Sequence, residues 1–451
     1  MVKKVFIKTF GCQANFYDSK KIGDIFISCG YEFSDDTQEA DVFVINTCHV
    51  REKTGEKVFS ELGKISDIKN RRIRAGGYMV VVVVGCVANA EGKNIFARSP
   101  LVDLVLGNGS YHRIGALVNR IFSNFEKGSS EKFIDIDFAK EKKFAQLPEN
   151  KAKISVCESV MIQDGCDKFC SYCTVPLTRG REYSRPLEDI MSEIRYLVEH
   201  GTREITLLGQ NVNCYSGPNG RGGKATLAEL IYLASEIDGL ERIRYLTSYP
   251  SQFGDDLILA HREIAKLMPL IYIPVQSGSN AILKSMNRKY TREQYLDLIC
   301  RIRESVKNIA FSSDFIVGFP GETEEDFMAT VDLVKQINFS LSFSFKYSPR
   351  PNTTATKMAN QIPEHIKSDR LRRLQTILNE QQIKFNRNYL GREVEILIEN
   401  ESLESGSLFF GRTPYFQPAI VKSCRRKLTN GEIVRAKINH VTLRTLKGEL
   451  E

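Results

Sequence analysis

The chain opens with strand-like residues from Lys4 to Phe10 and then a helical pattern from Tyr17 to Ser28. Asp41 to Ile45 reads as an apolar strand, and Glu52 to Ile65 as an amphipathic helix. Met79 to Val84 is a continuous, mostly β-branched run, the pattern of a strand buried on both faces. This βαβαβ order predicts a parallel α/β sheet domain with right-handed crossovers over residues 1–125. Residues 126–151 are rich in Lys, Glu, Asp and Ser and read as a linker, with one short strand at Phe133 to Ile136.

Residues 152–385 alternate again. Strands are predicted at Val156 to Ile162, Glu204 to Leu208, Arg242 to Leu246, Leu270 to Ile273, Ala310 to Ile316 and Leu341 to Tyr347. Helices are predicted at Glu188 to Glu199, Leu227 to Glu236, Arg292 to Glu304 and Glu324 to Gln336. Six such βα units fit a partial or complete (β/α) barrel better than an open sheet. A basic helix, Ser368 to Phe385, closes the region. Residues 386–451 then switch to short strands, Val394 to Ile398, Pro418 to Val421 and Ile433 to Ile438, with Asn430-Gly431 as a hairpin signal. That pattern suggests a small all-β barrel of the oligonucleotide-binding kind.

Length agrees with this division, since 451 residues imply two or three domains. With 42% hydrophobic and 26% charged residues, the composition is that of a folded globular protein. The net charge of +8 permits a nucleic-acid partner without establishing one. Lys8 interrupts any signal-peptide core, and the longest apolar run is far too short to span a bilayer. No membrane is expected, and the expected compartment is the cytoplasm. Eleven cysteines, an odd number, argue against a secreted disulfide framework and for metal or catalysis.

Cys166, Cys170 and Cys173 form C-x3-C-x2-C directly after the first strand of the middle region. A loop at the C-terminal end of a barrel strand is where such folds keep their chemistry. Structural zinc takes four protein ligands, and no fourth cysteine or histidine lies nearby. Three thiolates suit a 4Fe-4S cube with one open iron, while a zinc knuckle with a distant fourth ligand is the plainer alternative. Small and amide residues follow at successive strand ends: Gln210, Asn211, Ser248, Gln276 and Gly318. Together they suit a ligand with an amino-acid end, a ribose and an adenine, although any glycine there also serves a turn.

The triad, with Tyr172 before its last cysteine, resembles the radical S-adenosylmethionine signature. The resemblance implies that the open iron binds the amino and carboxylate groups of S-adenosylmethionine, whose reductive cleavage gives a hydrogen-abstracting radical. An enclosed, dry site is then required.

Cys12, Cys48 and Cys86 are far apart in sequence but each lies just past the C-terminal end of a predicted strand of the first domain. In a parallel sheet those ends share one edge, so the three can converge, with Gly11 and Gly85 allowing close backbone approach. The alternative is three ordinary buried thiols. Three ligands without a fourth again suggest a 4Fe-4S cluster, the second of two. Cys29, Cys157, Cys214, Cys300 and Cys424 show no spacing and read as ordinary thiols.

Longer strings make the resemblance specific. These are Gly11-Cys12-Gln13-x-Asn15-x-x-Asp18-Ser19, Asn46-Thr47-Cys48-x-Val50-Arg51-Glu52-Lys53, Leu207 to Asn213, Pro274 to Ser279 and Asp314 to Glu322. They resemble the methylthiotransferase family, most closely its bacterial MiaB branch. The C-terminal strands with Gly411-Arg412-Thr413 resemble the TRAM RNA-binding module. The resemblance implies insertion of sulfur at C2 of N6-isopentenyladenosine next to the tRNA anticodon and its methylation, in either order. S-adenosylmethionine is then both radical source and methyl donor, the cluster on Cys12, Cys48 and Cys86 carries sulfur, and Asp314 joins the cofactor-binding residues. It further implies an electron donor, a sulfur donor and a monomer, with no side chain singled out as catalytic acid, base or nucleophile. Lys367, Arg370, Arg372, Arg373, Lys384 and Arg387 of the basic helix are expected to track tRNA phosphates, or else to form a solvated face.

The same chemistry on threonylcarbamoyladenosine tRNA or on a ribosomal-protein aspartate is the sibling alternative. A zinc-stabilised RNA-binding module without catalysis is the alternative of another class. Ala14, Phe16, Tyr249, Asn352 and Thr354 depart from the family pattern and are expected to affect substrate fit, not cluster chemistry.

Overall fold

Five consecutive valines, Val80–Val84, are all completely buried. Such a strand must lie inside a sheet covered on both faces. The computed structural model describes residues 2–49, 52–138, 144, 153–401, 407–423 and 426–450. Among them, one parallel sheet runs in the order β2-β1-β3-β4-β5-β6. The strands are β1 (Lys4–Phe10), β2 (Glu32–Phe33), β3 (Val42–Thr47), β4 (Val80–Val84), β5 (Leu104–Leu106) and β6 (Phe133–Asp135). Side chains alternate between its faces. Val42, Val44, Val80 and Val82 pack with Ile22, Ile25 and Phe26 of α1 (Gln13–Ser28). Phe43, Ile45, Val81 and Val83 pack with Val58, Leu62 and Ile65 of α2 (Glu52–Arg74).

Three expectations change here. Helix α1 begins at Gln13, not Tyr17, because its first two turns bury Ala14, Asn15, Asp18 and Ser19, which carry little apolar periodicity. Helix α2 runs on to Arg74, where Arg71, Arg72 and Arg74 suit the negative end of the helix dipole. Phe133–Asp135 is an edge strand of this sheet, so that part of the expected linker is structural.

The chain forms two compact units. The first is Met1–Lys153 with Gln163–Phe169 and Cys173–Tyr183; the second is Ile154–Ile162, Cys170–Tyr172 and Ser184–Glu451. In the second unit β7 (Cys157–Met161), β8 (Glu204–Leu208) and β9 (Arg242–Tyr245) form one parallel sheet. A second parallel sheet holds β10 (Leu270–Tyr272), β11 (Ala310–Val317) and β12 (Leu341–Lys346). Backbone bonds from Ile243 to Lys266 (2.7 Å) and from Ser248 to Tyr272 (3.0 Å) continue one sheet into the other. The result is a partial (β/α) barrel with strands in sequence order. Ile205, Ile243, Ile271, Phe311 and Phe315 pack outward on the helices through Ile194, Leu230, Ile299 and Val331. Thr226, Thr291 and Thr323 start three of these helices with capping boxes.

The C-terminal strands close into a barrel, β13-β14-β15-β17-β16. They are β13 (Glu393–Glu401), β14 (Leu408–Arg412), β15 (Pro418–Lys422), β16 (Ile433–Val441) and β17 (Leu446–Glu449). Asn430-Gly431 does make a turn, with Gly431 at φ +89°. It is not a hairpin, because β16 pairs with β13 and β17 and not with β15. Two guanidinium groups on β9 tie this barrel to the larger one. Arg242 donates to the Arg412 carbonyl (2.7 Å) and pairs with Glu395 (3.0 Å); Arg244 donates to the carbonyls of Pro414 (2.7 Å) and Thr413 (2.9 Å) and pairs with Glu204 (2.9 Å).

The basic helix spans Glu364–Arg387 and is not a free cationic stripe. Lys367 and Arg370 are buried, and Arg370 is paired with Glu322 at 2.8 Å. Arg372 and Arg373 pair with Asp369, and Arg373 also with Glu324. Only Lys384 and Arg387 of the expected set are exposed without a salt bridge among the described residues. The helix packs its cations on its own unit, so the expected phosphate track is reduced to its C-terminal end.

Ile45→Ala should lower stability by about 2–5 kcal/mol, because its side chain is fully buried between β3 and α2. Leu233→Ala, at 41% exposure, should stay within about 0.5 kcal/mol. Urea unfolding followed by circular dichroism measures both.

Candidate functional site

In-register pairing of β1 with β3 (Phe10 opposite Thr47) and of β3 with β4 (Asn46 opposite Val84) brings three strand ends side by side. Cys12, Cys48 and Cys86 follow these ends. The Cys48 thiol is hydrogen-bonded to both Cys12 and Cys86. Cys12 is the N-cap residue of α1, where the Asn15 amide acts on its sulfur, and Cys86 is the first residue of α3 (Cys86–Glu91).

A buried amide network holds this edge. Asn15 Nδ2 donates to Asn46 Oδ1 (3.0 Å), and Asn46 Nδ2 donates to the Asn15 carbonyl and to Ser19 Oγ (both 2.9 Å). Asn15 and Asn46 are completely buried. Gly11 and Gly85 are required where they stand. A Cβ on Gly11 would lie 2.7 Å from Cys48 Cβ, and one on Gly85, at φ +91°, would lie 2.3 Å from Asn46 Oδ1. The motif around the first two cysteines is thus a positioning device.

Charge favours thiolates here. The hydrogen bond from Cys48 pushes the Cys12 and Cys86 thiols down to about 6, against burial and with the help of the Arg179 charge. Cys48, sharing its proton with both, is pushed up. Asn108 Nδ2 points at Cys86 Sγ (3.7 Å) and is held by Tyr111, whose hydroxyl donates to Asn108 Oδ1 (2.5 Å). Among the described residues no three His, Cys, Asp or Glu side chains are arranged to hold a single metal ion. The donor set, thiols with N–H donors and a buried cation beside them, fits an iron–sulfur cluster, whose net negative charge such groups stabilise.

Of the signature cysteines, Cys166 is buried, and Cys170 and Cys173 are partly exposed. Within the first unit the Lys168 amide faces Cys166 Sγ (3.4 Å) and the Val175 amide faces Cys173 Sγ (3.5 Å). Within the second unit Arg288 Nη1 lies 3.5 Å from Cys170 Sγ. Every signature sulfur therefore has an N–H donor, the pattern that suits cluster thiolates. Phe169 in this loop has φ +49°, Thr247 has +70° and Gln276 has +74°. Left-handed backbone is costly for such residues, most of all for a β-branched threonine, and such strain gathers at functional sites.

The expected cofactor residues Gln210, Asn211, Ser248, Gln276 and Gly318 lie just past strand ends of the second unit, and Asp314 lies within β11. Asn211 caps the turn Val212–Cys214, and Gln210 precedes it. Ser248 is 2% exposed, and its buried Oγ has no hydrogen-bond partner, as a polar ligand site requires. Gln276 and Asp314 are joined through the backbone, Gln276 N to Asp314 O (2.9 Å). Gly318 has a structural role as well: at φ +70° it donates to Glu322 Oε2 (2.6 Å) and abuts Lys367. Burial pushes the Glu322 carboxyl up to about 7.

Sequence reasoning missed Arg288, Arg179 and Asn108. Arg288 stacks on the rings of Tyr249 (4.5 Å) and Tyr290 (5.0 Å) while it faces Cys170. Tyr249 was expected to bear only on substrate fit; it instead supports a residue that touches a proposed ligand. Among the ordinary thiols, Cys157 is held up by burial, and Cys424 lies outside the described residues.

Comparisons with known proteins show the family. The Radical SAM superfamily model matches residues 160–334, the TRAM domain model residues 387–450, and that of uncharacterized protein family UPF0004 residues 4–107. A tRNA-2-methylthio-N(6)-dimethylallyladenosine synthase of Rickettsia canadensis is 46% identical over 451 residues, all of both chains. Those of Rickettsia bellii and Rickettsia typhi are 45% and 46% identical over the same length. Among solved structures, the radical S-adenosylmethionine methyltransferase TsrM of Kitasatospora setae aligns at TM-score 0.56 and 14% identity, covering 79% of this chain and 74% of that one. The radical enzyme OxsB aligns at TM-score 0.52 and 12% identity, covering 83% and 56%. These two likenesses establish the fold alone. On its full-length identity to the curated relatives, the chain belongs to the tRNA-2-methylthio-N(6)-dimethylallyladenosine synthase family of the radical SAM superfamily.

Proposed function

We propose that this protein is a tRNA methylthiotransferase that replaces hydrogen at C2 of N6-isopentenyladenosine, next to the anticodon, by a methylthio group. The observation that carries the reading is the full-length likeness to synthases of that product. Residues 1–125 would hold a sulfur-carrying cluster, 152–385 the radical chemistry and 386–451 the RNA-binding module. Cys166, Cys170 and Cys173 would hold one 4Fe-4S cluster, and Cys12, Cys48 and Cys86 a second. Bound there, the first with S-adenosylmethionine supplies a radical that opens the C2–H bond, and the second supplies the sulfur.

The chain's own groups prepare each step. Arg288 faces Cys170 and keeps that sulfur oriented. Ser248 offers a buried hydroxyl, and Gln210, Asn211, Gln276 and Gly318 past the strand ends, with Asp314 within β11, would bind the cofactor's polar parts. The amide network of Asn15 and Asn46 fixes the sheet-edge thiols. A second S-adenosylmethionine provides the methyl group. An electron donor and a sulfur donor are required as partners, and the protein acts as a monomer in the cytoplasm. No helix of the described residues is long and apolar enough to cross a membrane.

Cys170→Ala should abolish formation of 5′-deoxyadenosine from S-adenosylmethionine in anaerobic assays with a strong reductant. Cys48→Ala should keep that cleavage but make no methylthio product from an isopentenylated anticodon stem-loop. Equal loss of cleavage in both variants contradicts the division of roles. Nucleoside analysis of tRNA from a deletion strain should show N6-isopentenyladenosine in place of its 2-methylthio form. An unchanged isopentenyl pool with loss of a threonylcarbamoyl product would favour the sibling substrate, and a colourless zinc protein would favour the binding module.

A further inference from the structure

We propose that Arg179 is a positioning residue that docks both arms of the radical-signature loop on the thiol-bearing sheet edge and faces those thiols with a fixed positive charge. The inference rests on the two-cluster reading for its second half only.

Arg179 is 3% exposed. Its fork is divided between two buried carboxylates: Nη2 to Asp18 Oδ2 (2.8 Å) and Nη1 to Asp164 Oδ1 (2.9 Å). Asp18 is completely buried and Asp164 is 1% exposed at its side chain. A guanidinium without water must be paired on several sides, and breaking one pair leaves a buried charge uncompensated. The geometry is therefore rigidly set.

The three residues come from three segments with distinct work. Asp18 stands on α1, six residues after Cys12. Asp164 precedes Cys166 by two residues, and Arg179 follows Cys173 by six. The arms Gln163–Phe169 and Cys173–Tyr183 belong to the same compact unit as the sheet. A second tie runs in parallel: Asn108 Nδ2 donates to the Thr178 carbonyl (2.9 Å) while it faces Cys86. The Gly180 carbonyl receives the Cys166 amide (3.1 Å), closing the arms on each other. The Arg179 charge also helps to lower the Cys12 and Cys86 thiols. One side chain thus connects the loop of one proposed cluster to the ligands of the other. Lysine cannot replace it, because one ammonium does not span two carboxylates in this fork geometry.

The test uses the full-length protein with Cys166, Cys170 and Cys173 changed to alanine, so that all bound iron reports on the sheet edge. Arg179→Gln should shift the midpoint potential of that cluster to more negative values, because a buried cation that favours the reduced form is gone. Asp18→Asn, nearly isosteric, should shift it the other way. Opposite signs separate charge from mere loosening, which moves both variants alike; shifts of one sign, or none, overturn the electrostatic half. If Arg179→Gln does not fold, the Asp18→Asn shift decides, and a zero or negative value is against the proposal. Amide hydrogen exchange in the full-length protein without cluster tests the docking half. In Arg179→Lys, exchange over residues 173–183 should rise about tenfold while β3 and β4 stay protected; no change there overturns the docking. Failure of the parent to bind iron would refute the second cluster and leave the exchange result standing.

Discussion

Hydrogen bonding in register between three neighbouring parallel strands, β1, β3 and β4, decides where the chemistry of the first unit sits. A parallel sheet places all its C-terminal strand ends on one edge. Three cysteines separated by tens of residues then become neighbours without any local motif. A one-residue slip of β3 would turn Val42 and Val44 to the opposite face, so the valine-rich core fixes register and the thiols follow.

On this frame the polar interior is arranged for a negatively charged group. Asn15 and Asn46 satisfy one another, and Asn108 is satisfied by the Thr178 carbonyl and the Tyr111 hydroxyl, so their burial is tolerated. Arg179 is kept in place by two carboxylates, and Arg288 by two aromatic rings and the Pro274 carbonyl. Each of these cations faces a proposed cluster ligand. Arg242 and Arg244 use the same physics for a different end, holding the small barrel through its carbonyl oxygens. Buried guanidinium groups recur because one fork can serve several acceptors where water is absent.

Much of this was legible in the chain. The valine run, the strand ends bearing cysteine and the C-x3-C-x2-C loop depend on local pattern, and local pattern is what a sequence displays. The start of α1 was not legible, because Asn15, Asp18 and Ser19 are buried for their hydrogen bonds and break apolar periodicity. The hairpin at Asn430-Gly431 failed because barrel closure, a long-range pairing, overrode a local turn signal. The phosphate track expected on Glu364–Arg387 is reduced to its C-terminal end because Arg370 is paired with Glu322, far away in sequence. Arg179 and Arg288 were invisible for the same reason: Asp18 lies 161 residues from the one and Cys170 118 residues from the other, and only Arg179 stands close to a cysteine motif in the chain.

Two separate thiol triads are proposed here, each to hold its own cluster. Iron counted per chain after anaerobic reconstitution tests this most directly. A cluster on each triad predicts about eight irons in the native protein and about four when either Cys12, Cys48 and Cys86 or Cys166, Cys170 and Cys173 are replaced by alanine. About four irons in the native protein, unchanged by loss of the sheet-edge triad, would contradict it.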